Sequence, residues 1–225
     1  MDGDSFSWEV VLPERTSMGI GGARPCATLC LHVGTELEEL AVPGRVGRAL
    51  QREQAQGNIG AANRRELLAT LRATSTKVAK GMVVQMATRR DHSEHEVRAK
   101  LRREGFSQQV CNEVLAFAVS CGLVSNRRFA EGFVRAKVAA GWGVSRIERE
   151  LSARGVDAQA LPDWPHAYLD PDDEFERALA VASHKRVREP NAYGKLMRFL
   201  MGRGFTYGVA SKAAKRALEV GKVGG

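Results

Sequence analysis

The spacing of apolar positions changes character near residue 63. Before it, in "CATLCLHV" (Cys26 to Val33), Ala27, Leu29, Leu31 and Val33 fall on one face of an extended chain and Thr28 on the other. That period of two marks a strand with one buried side. Gly34 and "LEELAV" come next, then Pro43-Gly44, so two short strands joined by a turn are predicted. From Asn63 onward the period lengthens. Leu67, Leu68 and Leu71, and then Val78, Met82, Val83 and Met86, recur at helical spacing. No strand is predicted from there to Val220.

A short pattern punctuates the helical part. "LRREGF" (Leu101 to Phe106), "LSARGV" (Leu151 to Val156) and "LMGRGF" (Leu200 to Phe205) each hold a leucine, three intervening residues, a glycine and an apolar residue. Gly105, Gly155 and Gly204 stand 50 and 49 residues apart. Glycine takes positive φ without the Cβ penalty, and helices often end on such a residue. The residue after the glycine then packs on the leucine that opens the pattern, which predicts Phe106 on Leu101, Val156 on Leu151 and Phe205 on Leu200. Ser107, Asp157 and Thr206 come next, and their side-chain oxygens suit the N-cap of another helix. Each copy stops one helix and starts another.

Adding a preceding helix to each corner gives three-helix units. The first comprises residues 76–90, 93–104 and 107–121, with Ser93-Glu94-His95-Glu96 as a capping box. The second comprises 126–140, 143–154 and a short helix over 157–167; the third comprises 173–187, 191–203 and 206–220. A repeated period of this length marks a tandem array, expected to be elongated and curved. The expected fold is therefore all-α over most of the chain, with a small N-terminal part containing β-structure. Its segments are a flexible lead over 1–25, a small part of short strands plus helix over 26–75, and repeats over 76–121, 122–168 and 169–225. The acidic "LPDWPHAYLDPDDEFE" before the last repeat is either a hinge or a corner built on Trp164 and Tyr168.

Charge sharpens this picture. The 225 residues carry a formal net charge of +8, which suits an anionic partner, nucleic acid first, beside the plainer role of solubility. The excess is uneven. Residues 89–156 are net +5 and residues 176–225 net +8, while residues 157–175 hold six acidic groups and no lysine or arginine. In the helix over 126–140, Phe129 and Phe133 are expected to face inward, with Val134 and Val138, leaving Arg128, Arg135 and Lys137 outside. In the next helix Ile147 and Leu151 point inward while Arg146, Arg149 and Arg154 point out. Arg98, Arg102 and Arg103 serve the first repeat. Guanidiniums bind carboxylates or phosphates through paired hydrogen bonds. Some of these arginines are expected to form surface pairs such as Glu131–Arg135. Trp142, between two glycines, either meets a partner or fills a gap between repeats.

Catalytic chemistry is not written in the sequence. "GIGGA" (Gly19 to Ala23) lacks the Lys-Ser/Thr of a phosphate loop. Cys26, Cys30 and His32 lack a second knuckle, because Cys111 and Cys121 fall at ten-residue spacing on a helix. Packing is the expected role of all four cysteines. His92 and His95 are three apart, with no third ligand in view. The start "MDGDSFSWEV" has no apolar core of a signal peptide, and no stretch has the length of a membrane span. The expectation is a cytoplasmic protein with no cofactor.

The stretches "RRDHSEHEVRAKLRREGF" (Arg89 to Phe106) and "GLVSNRRFAEGFVRAKVAAGWGVSRIERELSARGV" (Gly122 to Val156) resemble the RecX family, bacterial regulators of the RecA recombinase. "KLMRFLMGRGF" to "AAKRAL" resembles the family's C-terminal unit, extending the likeness over residues 76–220; residues 26–75 are only loosely similar to N-terminal extensions of some members. The sequence departs from the family where two aspartates become Ser125-Asn126, and where a Gly-Tyr-Gly-Pro-like turn becomes Gly141-Trp142-Gly143-Val144. The resemblance implies tandem three-helix repeats without enzymatic activity, acting as a monomer. It implies binding to the RecA filament, and to single- and double-stranded DNA, with inhibition of ATP hydrolysis and strand exchange by blocked extension or promoted disassembly. DNA repair, recombination and the SOS response are the implied setting. The candidate contact residues are Arg98, Arg102, Arg128, Arg135, Lys137, Trp142, Arg146 and Arg149. The alternative is a stand-alone basic helical module that binds DNA.

Overall fold

The computed structural model describes residues 6–13, 26–187 and 190–223. The glycine-rich stretch over 19–23 and most of the expected irregular lead lie outside them. The chain divides into two compact units, 1–125 and 126–225.

The first unit opens with an antiparallel sheet in the order β1 (Phe6–Val11), β2 (Cys26–Val33), β3 (Glu36–Pro43). β2 and β3 occupy the two segments expected to form strands joined by a turn. β1 lies inside the segment expected to be irregular. Its Phe6-Ser7-Trp8-Glu9-Val10 alternates as β2 does, and Trp8 and Val10 pair with Leu31 and Leu29 on the buried side. The strand is stable because β2 supplies its ladder and α1 (Gly44–Ala55) covers its face, neither of which a local reading sees. α1 is a second departure. Pro43-Gly44 reads as a turn, yet Val46, Gly47 and Leu50 bury one helical stripe against the sheet.

α2 (Arg64–Ala87) runs unbroken, capped by the Asn63 side chain, which accepts from the Glu66 amide. α3 (Glu94–Arg103) begins at Ser93, whose Oγ accepts from Glu96 N at 3.1 Å, and α4 (Gln108–Ser120) begins at Ser107. α2 and α3 both pack on α4. Sheet, α1 and this first helical triplet share a single core from Val10 and Leu29 through Leu50, Leu67 and Val83 to Leu101, Phe106 and Val114.

The second unit holds two triplets. α5 (Asn126–Ala139) and α6 (Val144–Ser152) surround Phe129, Val134, Ile147 and Leu151. The short helix expected over 157–167 is only a 3-10 turn, Ala158–Ala160, because Pro162 and Pro165 withhold amide donors and disfavour helical geometry before them. Trp164 then donates from Nε1 to Glu148 Oε1 at 2.9 Å and meets the Tyr168 ring at a tilt, 5.9 Å between centres, so this part of the acidic stretch packs as a corner on α6. α7 (Pro171–Ser183), α8 (Ala192–Gly202) and α9 (Tyr207–Val223) enclose an alanine-rich core with Leu196, Leu200 and Phe205.

The recurring corner has the same geometry in each triplet. Gly105, Gly155 and Gly204 sit at φ +91°, +69° and +90°. Phe106 N donates to Leu101 O at 3.2 Å, Val156 N to Leu151 O at 3.0 Å and Phe205 N to Leu200 O at 3.2 Å. Each apolar pair lies in one core, and the side chains of Ser107, Asp157 and Thr206 accept from the first free amides of the next helical segment. The left-handed glycine turns the chain, and the buried pair makes the turn favourable.

Candidate interaction surface

Most of the candidate basic residues are exposed, but three candidates come together on α5, α6 and the turn between them. Gly141 ends α5 at φ +71°, with Trp142 N donating to Lys137 O at 3.0 Å. That turn folds Trp142 back over the end of its own helix. Arg146, in the first turn of α6, lays its guanidinium 3.9 Å from the centre of the Trp142 ring, and Lys137 Nζ lies 4.6 Å from it. Phe133, one turn before Lys137, meets Trp142 edge-on at 6.4 Å. Lys137 Nζ also lies 5.2 Å from the Phe133 ring and the Arg154 guanidinium 5.1 Å from it. The result is a ladder in which cations and rings alternate, Arg154, Phe133, Lys137, Trp142, Arg146. Each rung contributes about 0.5–1 kcal/mol at such half-exposed positions.

Glu150 ties a carboxylate into this ladder. Arg154 Nη1 donates to Glu150 Oε2 at 2.6 Å. That hydrogen bond is the chief reason the Glu150 carboxyl is held below its usual range; partial burial opposes it, and the charges of Arg154, Arg146 and Lys137 add to it. Among the described residues, Glu150 is the carboxylate whose titration Arg154, Arg146 and Lys137 lower together. Arg146 stacks on the ring through the face of its guanidinium, and its Nη1 also donates to Gly202 O at 3.5 Å. Trp142 is packed with the α5–α6 core. It serves as the platform that orders Lys137 and Arg146.

The same turn is fastened to the third triplet. Gly143 N donates to Arg203 O at 2.9 Å, and Arg203 Nη1 donates to Ala140 O at 2.8 Å, closing the free end of α5. A Cβ on Gly143 would run into the Gly204 carbonyl, and one on Gly204 would lie 2.5 Å from Arg146 N. The absent proline of the Gly-Trp-Gly-Val turn is thus offset by backbone packed on backbone.

The remaining candidates are placed separately. Arg98 and Arg102 lie on α3 in the first unit, and Arg102 is exposed. The Cys111 thiol is pushed up by burial, which the charges of Arg102 and Arg98 oppose. Arg128, Arg135 and Arg149 belong to the second unit, with Arg149 beside Ser152 and Asp157 rather than on the ladder. The expected Glu131–Arg135 pair gives way to another. Arg127 reaches Glu131 at 2.9 Å from the preceding turn instead. His92 Nδ1 lies 2.9 Å from Glu96 Oε2. Cys30 and Cys111 are buried, and burial, then Glu39 and Glu9 across the strands, raise the Cys30 thiol. Among the described residues no three His, Cys, Asp or Glu side chains converge as metal ligands, and no helix is long and apolar enough to cross a membrane.

Arg203 is absent from the residues that local sequence reading selects. A signal is present all the same: the residue before each stop glycine is charged, as Glu104, Arg154 and Arg203. All three are used. Glu104, nearly buried, meets Lys100 at 2.8 Å and Arg45 of α1 at 3.5 Å; Arg154 holds Glu150; Arg203 caps α5.

Comparison with known proteins agrees with this arrangement. Models of the first, second and third three-helix domains of RecX match residues 79–117, 125–161 and 172–213. The regulatory protein RecX of Vibrio vulnificus is 33% identical over 133 residues, covering 57% of this chain and 85% of that protein. That of Chromohalobacter salexigens is 31% identical over 144 residues, covering 60% and 90%. The crystal structure of RecX from Lactobacillus salivarius superposes with a TM-score of 0.53 at 21% identity, over 64% of this chain and 97% of that one. A second crystal structure, of a regulatory protein RecX, gives 0.56 at 14% identity over 92% and 96%. With three successive triplets matched in order, the chain belongs to the RecX family of regulatory proteins.

Proposed function

We propose that this chain is a non-enzymatic regulator that binds a RecA-type recombinase filament on DNA and limits filament growth or hastens its loss. The observation that carries the reading is the cation–aromatic ladder on α5 and α6. Its cations are held in place before binding, so less side-chain entropy is lost when a carboxylate of a protein surface or a phosphate of DNA arrives. A filament offers both kinds of anion, repeated along its length. Membership of a family of regulatory proteins supports the same reading.

The test is recombinase ATP hydrolysis on single-stranded DNA with this protein added. Inhibition is expected at well below one copy per recombinase monomer. Replacing Lys137, Arg146 and Arg154 together by alanine is expected to weaken inhibition at least tenfold with helicity retained. Unchanged ATP hydrolysis at equimolar protein overturns the reading. Full inhibition by the triple variant moves the binding face elsewhere.

A further inference from the structure

The N-terminal module carries a second basic surface, and its first helix lies outside the matched family domains, the first of which begins at residue 79. Arg45, Arg48 and Arg52 stand at i, i+3 and i+7 on α1, one stripe of the helix about 10 Å long. They border a groove of about 410 Å³ whose other wall is α2, with Val78, Gly81 and Met82. Among the described residues no carboxylate lines this groove. Arg48 and Arg52 face it as cations, whereas nearby Glu53 is turned to Lys77 at 3.9 Å. Arg45 is anchored at its end of the row by Glu104, whose other oxygen takes Lys100 at 2.8 Å, so that trio stays net positive. Gly81 keeps the floor open, with nothing within 4 Å of where a Cβ would stand.

We infer that this α1–α2 groove binds the phosphodiester backbone of single-stranded nucleic acid. A straight row of guanidiniums over an apolar floor matches a strand that repeats one negative charge per nucleotide, whatever its sequence. An acidic peptide would have to bring carboxylates at the matching helical spacing. A duplex holds its phosphates on a fixed helical path, whereas a flexible single strand can lay successive phosphates along a straight row. The site belongs to the first unit, the ladder to the second, and the inference does not rest on the regulatory reading.

The test is fluorescence anisotropy of a labelled 20-nucleotide oligo-dT with the full chain alone, across a range of KCl concentrations. Arg48→Ala with Arg52→Ala is expected to weaken binding at least tenfold at about 0.1 M salt. Each phosphate contact on a single strand contributes about 0.7 to the log–log salt slope, so the slope becomes shallower by about 1.4. Gly81→Leu, which keeps every charge but fills the floor, is expected to weaken binding several-fold. Unchanged affinity and slope in the double variant, or unchanged affinity in Gly81→Leu, overturns the site. So does competition by polyglutamate at equal charge concentration, or an equal loss for a 20-base-pair duplex. No recombinase is in the assay, so this result and that of the ATP-hydrolysis test fail or stand separately.

Discussion

Gly143 donates its amide to the carbonyl of Arg203 at 2.9 Å, joining the α5–α6 turn to the end of α8. The contact is possible only because the chain carries no Cβ at Gly143 or at Gly204. It predicts a graded response to alanine. Gly204→Ala places a side chain at φ +90° and 2.5 Å from Arg146 N, combining left-handed strain with a backbone clash, and is expected to cost about 2–5 kcal/mol. Gly105→Ala at φ +91° meets nothing closer than Cys26 Sγ at 3.7 Å and is expected to cost only the strain, about 1–2 kcal/mol. Urea unfolding of the two variants measures the difference, and equal losses would remove the close packing from the explanation.

Arg203→Ala removes the donor that closes α5 at Ala140 and the cation beside Phe199, 5.0 Å from its ring. A charge-assisted hydrogen bond of this kind contributes about 1.5–3 kcal/mol. Thermal unfolding is expected to show a loss in that range for alanine and a smaller one for lysine, which keeps the charge but not the planar fork.

Glu104 sits almost buried between Lys100 and Arg45, so it links α3 to α1 and hence the first triplet to the sheet module. Glu104→Ala leaves two cations facing each other. The expected cost is about 2–3 kcal/mol, moderated because Arg45 remains partly in water. Hydrogen exchange is expected to rise in α1 as well as α3; a rise confined to α3 would show that the pair does not join the modules.

Glu150 gives a pH dependence with a definite sign. Its folded-state carboxyl titrates below the ordinary value, with the Arg154 hydrogen bond the main cause. The stability it supplies is therefore complete above the unfolded-state value near pH 4.5 and is lost as pH falls through the lower folded-state value. An NMR titration of the Glu150 side chain is expected to show this depressed midpoint. Arg154→Ala is expected to return it upward toward the ordinary range.

Much of the helical fold is legible in the sequence because its signals are local. Gly105, Gly155 and Gly204 announce a left-handed stop, and Ser93, Ser107, Asp157 and Thr206 announce the caps, within a few residues of the atoms they bond. The alternation in Cys26 to Val33 is legible for the same reason. α1 and β1 are not. Their apolar stripes are short, and each is stabilised by a partner elsewhere in the chain, Val46 and Leu50 against the sheet and Trp8 opposite Leu31. The site divides in the same way. Lys137, Trp142 and Arg146 are marked by residue type, but Phe133 reads only as core. Arg203 escapes because its partner, Ala140, is 63 residues away.

The sequence by itself determined where most helices stop, what restarts them, and that the basic charge falls in two blocks, residues 89–156 and 176–225. These depend on φ preferences, capping atoms and charge, which act over one turn of chain. Only the tertiary structure decided which cations act together. Arg146 and Lys137 share one ring because Gly141 turns Trp142 back over α5, and that turn holds because Gly143 lies on the backbone of Gly204. Such convergence depends on distances between segments that no local pattern encodes.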